Sequence, residues 1–161
     1  MLSAGLLPFR ITDGVLQILI AHPGGPIWER RQLGAWSVVK GGVERGEEPF
    51  HAALREFAEE TGWPATPVDP VSLGEVTLRS GKRVVVWAFE SDFDPDDLDG
   101  DRITMDWHGR TIHFPEIDEV RWCGHDDAVA LLNPAQAVYY ERLNTAVGPR
   151  GEHAGTGTVG A

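Results

Sequence analysis

Glu56, Glu59 and Glu60 are the densest group of side chains able to do chemistry in this 161-residue chain. The residues around them read as a helix. With Glu56 set at 0° and about 100° per residue, Glu59 falls at about 300° and Glu60 at about 40°, so the three carboxylates share one face. Phe50, Leu54, Phe57 and Ala58 fall between about 100° and 200° and give the same helix an apolar stripe for a core. Like charges three and four residues apart destabilise a helix by about 0.2–0.5 kcal/mol per pair, and Glu59 and Glu60 also sit near the negative end of its dipole. A divalent cation would reverse the sign of both effects, because hard cations take oxygen ligands and Mg²⁺ is commonly shared between carboxylates and phosphates. A solvated acidic face is the plainer alternative for three glutamates taken alone.

The glutamates stand in a longer pattern. Gly41 is followed, after five residues, by Glu47, and Glu47, after seven more, by Arg55-Glu56-Phe57-Ala58-Glu59-Glu60-Thr61-Gly62-Trp63. This matches the Nudix box throughout, and the chain resembles Nudix hydrolases, which cleave a nucleoside diphosphate linked to another moiety by attack of water on phosphorus. The resemblance implies an α/β fold of the Nudix type, an α/β/α sandwich with a mixed β-sheet. It also implies a pyrophosphohydrolase acting on a small nucleotide, with Mg²⁺ or Mn²⁺ as cofactor. By the same match Glu56, Glu59 and Glu60 are metal ligands, with the role of base as the alternative for Glu56, and Arg55 orients the cluster. Glu47 belongs to the turn before the helix, from which it bends back to Arg55 or to the metal. The backbone carbonyl of Lys40 is a further ligand, and its ammonium either contacts phosphate or is merely exposed. Phosphoryl transfer suits this equipment and needs no covalent nucleophile.

Outside the box, Trp36-Ser37-Val38-Val39-Lys40-Gly41 is similar to the segment before it in diadenosine tetraphosphate hydrolases, where a proline usually stands at the place of Val39. Trp87 after Val84-Val85-Val86, and Glu116 six residues before Trp122, also resemble those hydrolases. The resemblance gives Glu116 the part of an active-site carboxylate near the metal, with Glu90 and Glu119 as rivals. The residues 22–28 look like those of a bacterial Nudix group without a settled substrate, and the likeness as a whole runs over residues 4–143. Trp28, with Arg30 and Arg31 nearby, is the first candidate to stack on a nucleobase, which is worth about 1–3 kcal/mol per base in nucleic-acid complexes. Packing is the alternative for any one of six tryptophans.

These residues need elements to position them. Apolar runs at residues 4–9 and 15–21 around Thr12-Asp13-Gly14 predict a hairpin. The Pro- and Gly-rich residues 22–34 predict a surface loop. Residues 36–39 read as a short strand, and Pro49 opens a helix that runs to about Thr61 with Gly62 as its cap. Residues 71–79 and 83–89 predict a second hairpin, 102–107 and 120–123 further strands, and 126–132 and 134–144 two helices. Residues 92–101 hold six aspartates and read as a solvated loop.

Composition bounds the rest. A chain of 161 residues suits one domain, placed at residues 2–146, and the Gly-, Thr- and Ala-rich residues 147–161 read as a disordered tail. A net charge of −11 disfavours a nucleic acid polymer or an anionic membrane as partner. The first 22 residues fit neither a signal peptide nor a membrane span, and Cys123, the one cysteine, allows no disulfide within the chain. A cytoplasmic protein is expected, its oligomeric state unread. Residues 41–46 space their glycines like a P-loop, but Glu47 and Glu48 replace the lysine and hydroxyl. Asp92, Asp94 and Asp96 begin like an EF-hand that Pro95 and Ile103 break. Cys123 beside His125 reads as a packing residue rather than a nucleophile. A binding module that senses a nucleotide or a metabolite without turnover is the alternative to an enzyme, and the complete acid set favours the enzyme.

Overall fold

The computed structural model describes residues 1–148. Strands β1 (Leu2–Thr12) and β2 (Val15–Pro23) form the predicted hairpin. Thr12 pairs with Val15 across a two-residue turn in which Asp13 and Gly14 both have positive φ, the geometry that matches strand twist. β3 (Val39–Gly42), β4 (Val71–Thr77), β5 (Arg83–Glu90) and β8 (Ile117–Cys123) complete a six-stranded sheet in the order β4-β5-β1-β2-β8, with β3 paired to the first half of β1. The β1–β5 pair is parallel and the others antiparallel, so the sheet is mixed as expected. β6 (Arg102–Trp107) and β7 (Arg110–Pro115) form a separate two-stranded sheet.

The central strands are apolar on both faces because helices cover both. Leu7, Phe9, Ile18, Ile20, Val84 and Val86 point into one core with helices α2 (His125–Leu131) and α3 (Val138–Val147). Ala4, Leu6, Leu19, Ala21 and Phe89 point into the other, under Ala52, Ala53 and Phe57 of helix α1 (Pro49–Thr61). The result is the α/β/α sandwich. Tyr139 and Tyr140 bury their rings and donate their hydroxyls to the carbonyls of Val84 and Leu16, both at 2.7 Å, which fixes α3 to the sheet. Among the described residues no helix is long and apolar enough to cross a membrane.

Several boundaries differ from the sequence expectation. The strand expected at residues 36–39 starts at Val39, because Trp36 and Ser37 are held by single bridges to Leu132 and Ala21. The helix expected from Pro134 starts at Val138: Asn133 takes the amides of Ala135 and Gln136 on its side chain and carbonyl and turns the chain first. It then continues through Val147, past the expected start of the tail; residues 149–161 of that tail lie outside the described residues. β7 was not expected, and β8 begins at Ile117 rather than Val120.

Residues 92–101 are anchored, not simply solvated. Phe93 stacks on Trp63 at 4.5 Å between ring centroids, and its carbonyl accepts from the Trp122 indole at 2.9 Å. The amides of Asp99 and Asp101 then donate to the carbonyls of Thr61 and Glu59, at 3.0 and 2.8 Å. Carbonyls at the end of α1 that the helix cannot satisfy itself are thus capped by the aspartate-rich loop. Gly62, in the left-handed conformation at φ 80°, ends the helix as expected.

Candidate active site

α1 carries Arg55, Glu56, Glu59 and Glu60 against β3, which holds Lys40 and Gly41. The two elements meet at Gly41, where any Cβ would overlap the Glu56 carboxyl. Arg55 uses all five of its N–H donors. Nε and Nη2 bind the two oxygens of Glu47, both at 2.9 Å, and Nη2 also donates to the Gly42 carbonyl at 3.1 Å. Nη1 donates to Glu56 at 2.9 Å and to Glu59 at 3.2 Å. The forked pair with Arg55 holds the Glu47 carboxyl down at about 2, and Glu47 in return raises the guanidinium further above its usual range.

Glu60 is different in kind. It is 6% exposed, and burial, with the charges of Glu116 and Glu56 added, pushes its carboxyl up to about 9. In its protonated form it donates a hydrogen bond to Glu116, whose own carboxyl is raised by burial and then by Glu56 and Asp101. The Lys40 ammonium is lowered by burial and then by Lys82, while Glu60, Glu116 and Glu56 oppose the shift. Lys40, Glu60 and Glu116 line a cavity of about 170 Å³ with Ala21, Val38 and Ile117. Pro23 and Glu116 connect it to a second cavity of about 350 Å³, walled by Trp28, Ile103, Met105 and Phe114.

Among the described residues no three His, Cys, Asp or Glu side chains already stand around one metal position. The acids fall into two sets instead: Glu47, Glu56 and Glu59 turn to Arg55, and Glu60 turns to Glu116. The donor set still fits a hard divalent cation. It consists of carboxylate oxygens that raise one another's affinity for a positive charge, one of them buried in the wall of an open cavity.

A family model, the NUDIX domain, matches residues 3–143. The chain belongs to the NUDIX family. The expectations of a Nudix hydrolase and of its α/β fold are met. RNA pyrophosphohydrolases are among its relatives: that of Rhodospirillum rubrum is 31% identical over 154 residues, covering 88% of each chain. That of Roseobacter denitrificans is 36% identical over 160 residues, covering 83% of this chain and 88% of the relative. Among solved structures, a binary complex of the C. elegans Ap4A hydrolase superposes with a TM-score of 0.62 at 19% identity, over 89% of this chain and 96% of that one. The NUDIX domain of Shewanella oneidensis NrtR, complexed with ADP ribose, superposes at 0.59 and 16% identity over 91% and 87%.

Within this Nudix fold the residues singled out by sequence do not all come together. Glu116, rather than its rivals Glu90 and Glu119, shares the cavity with Glu60; Glu119 pairs with Arg121 on the surface at 3.1 Å. Trp28 borders the second cavity, but Arg30 is exposed and lines neither one, and it is Arg31 whose guanidinium lies 5.6 Å from the Trp28 ring. Trp87 packs edge-on against Phe50 at 5.2 Å, and both lie partly buried against the core under α1.

His22 went unassigned in the sequence and proves to hold the site's rim together. Its buried ring bridges Asp118 at 2.8 Å through Nδ1 and the Arg31 carbonyl at 2.7 Å through Nε2. That bond closes the loop bearing Trp28 back onto the sheet. A single histidine ending an apolar strand before a Pro-Gly-Gly-Pro turn was the only available signal.

Proposed function

We propose that this chain is a metal-dependent Nudix pyrophosphohydrolase that cleaves a phosphoanhydride of a free nucleotide, a dinucleoside polyphosphate or a nucleoside triphosphate, by attack of water. The observation that carries the reading is the buried Glu60 carboxyl facing Glu116 and Lys40 in one cavity. Buried acids of like charge are costly unless a cation joins them.

Glu56, Glu59, Glu60 and Glu116, with the Lys40 carbonyl, would hold Mg²⁺ or Mn²⁺. When bound, such an ion neutralises phosphate charge and makes water a better nucleophile. Lys40 faces Glu60, Glu116 and Glu56 as charges, with no ion pair to any of them among the described residues, so its ammonium is available to a phosphate oxygen. Glu56 or Glu116 accepts the proton of the attacking water. Arg55 has no donor left for substrate and is a positioning residue that sets the angle of Glu56 and Glu59. Of the two expectations for Glu47, toward Arg55 or toward the metal, this reading takes the first: Glu47 serves the same end through its paired bonds to Arg55.

The relatives' names favour a second reading, the end of an RNA chain as substrate. The net charge of −11 favours the free nucleotide, since a polymer would bring many phosphates against an acidic surface. Turnover of Ap4A, other dinucleoside polyphosphates, NTPs and 5′-triphosphate RNA with Mg²⁺ or Mn²⁺, with products separated and Glu60→Gln as control, decides between them. Cleavage of a free nucleotide by wild type alone supports the reading. Preferential cleavage of the RNA replaces the substrate, and nucleotide binding without any turnover replaces the enzyme by a sensing module.

A further inference from the structure

The hairpin of β6 and β7 contributes no residue to either core. Its register nevertheless sorts its side chains by polarity: Ile103 faces Phe114 and Met105 faces Ile112 on one side, while Thr104 faces His113 and Asp106 faces Thr111 on the other. An apolar face that no core uses is a cost unless something else covers it. Here that face turns toward the loop of residues 23–28, and between them lies the cavity of about 350 Å³.

We infer that the β6–β7 hairpin is the specificity element of the site, and that Ile103, Met105 and Phe114 with Trp28 receive one nucleobase of the substrate. The inference rests on the function proposed above and names which part of the nucleotide goes where. The volume lies at the lower end of the roughly 300–1,000 Å³ typical of small-molecule sites, room for one nucleoside but not two. Among the described residues Glu116 is the only charged group in its wall, and a carboxyl there disfavours phosphate, whereas Lys40 stands in the adjoining cavity. The nucleotide is therefore held in one direction, ring toward the hairpin and phosphates toward Lys40. Two of the walls are aromatic, which favours a flat ring over an aliphatic chain.

The pocket is also set before any ligand arrives. Gly25 abuts the Phe114 ring, where a Cβ would come within 2.6 Å, so the loop and the hairpin are in contact. His22 holds the Arg31 carbonyl, and Gly24 donates to the Glu116 carbonyl at 2.9 Å, which together fix both ends of the segment carrying Trp28. A ring entering such a site gives up little freedom of the protein.

Calorimetric binding of AMP, GMP, CMP and UMP to the full chain in EDTA tests this, with ribose 5-phosphate and hexyl phosphate as ring-free probes. At least one nucleotide should bind tenfold or more tightly than both probes, and Met105→Asp and Ile103→Asp should each abolish that advantage with the circular dichroism spectrum unchanged. Should either aspartate variant fail to fold, Phe114→Leu, which removes the ring at similar volume, should reduce the advantage at least threefold. Equal binding of hexyl phosphate, or an advantage that survives the substitutions in folded protein, overturns the inference. The function proposed above fails separately: base-dependent binding without any turnover leaves the pocket standing, and turnover without base-dependent binding leaves the hydrolase.

Discussion

The backbone amide of Glu116 donates to the carbonyl of Asp101 at 2.9 Å, and the amide of Asp101 donates to the carbonyl of Glu59 at 2.8 Å. Glu116 is thus suspended over the helix that carries Glu60 by one residue of the aspartate-rich loop. The loop in turn is held by Phe93 on Trp63. Phe93→Ala should cost about 1–3 kcal/mol by the usual range for partly buried aromatic truncation. It should also lower kcat more than stability alone explains, measured well below the melting temperature; unchanged kcat in folded protein would disconnect the loop from Glu116.

Gly41→Ala separates site geometry from stability. The added methyl group would overlap Cγ, Cδ and Oε2 of Glu56, a flexible side chain that can swing aside, so unfolding free energy should change by less than about 2 kcal/mol. Swinging aside breaks the bond from Arg55 to Glu56. Activity should fall about 10–100-fold, the usual effect of disturbing a ligand's support, in assays at saturating Mg²⁺.

Glu60 gives the metal-free protein a pH dependence whose sign is fixed. Its carboxyl titrates near 9 when folded and near 4.5 when unfolded, so between those values the folded state binds the extra proton. Stability in EDTA should therefore fall as pH rises from about 5 to 9, with a slope of at most about 1.4 kcal/mol per pH unit from this group. Glu60→Gln should flatten that slope. Urea melts at pH 5.5 and 8.0 on both proteins make the comparison, and parallel curves would remove the buried acid from the account.

Divalent metal should act in the opposite direction. On the proposed site, Mg²⁺ or Mn²⁺ would displace the proton between Glu60 and Glu116, so the rise in Tm on adding metal should be larger at pH 8 than at pH 6. At 100 times its Kd an ion stabilises by about 2.7 kcal/mol. Scanning calorimetry with Glu60→Gln as reference should show the smaller shift in the variant.

Cys123 should be inert in the native protein. It is 1% exposed in the α2–α3 core, and burial pushes its thiol up to about 11. A disulfide reagent at pH 8 should label it only after denaturant is added. Prompt labelling of folded protein would reopen a reactive role.

The acid helix was legible because two periodicities, one apolar and one acidic, coincide over residues 49–61, and a glycine closes them. The central strands were legible because burial on both faces makes them continuous apolar runs. β7 was hidden because it lies outside both cores, so Arg110, Thr111 and His113 face solvent and dilute the pattern. The loop of residues 92–101 was misread because six charges mask Phe93 and Leu98, the two side chains that attach it. Glu116 was named from resemblance alone; no local pattern shows that Asp101 will carry it across to Glu60.

β1 pairs with β5 in parallel from Leu2 to Phe9, and on its other edge with β3 from Ser3 to Leu6. Contacts between such distant segments form late and slowly. A chain synthesised only as far as residue 82 would already contain Glu47, Arg55 and the helical glutamates, yet β1 would lack its parallel neighbour. The acids of α1 are thus complete in sequence before the sheet that supports them exists, and the cavity holding Glu60 closes only once Glu116 has been synthesised.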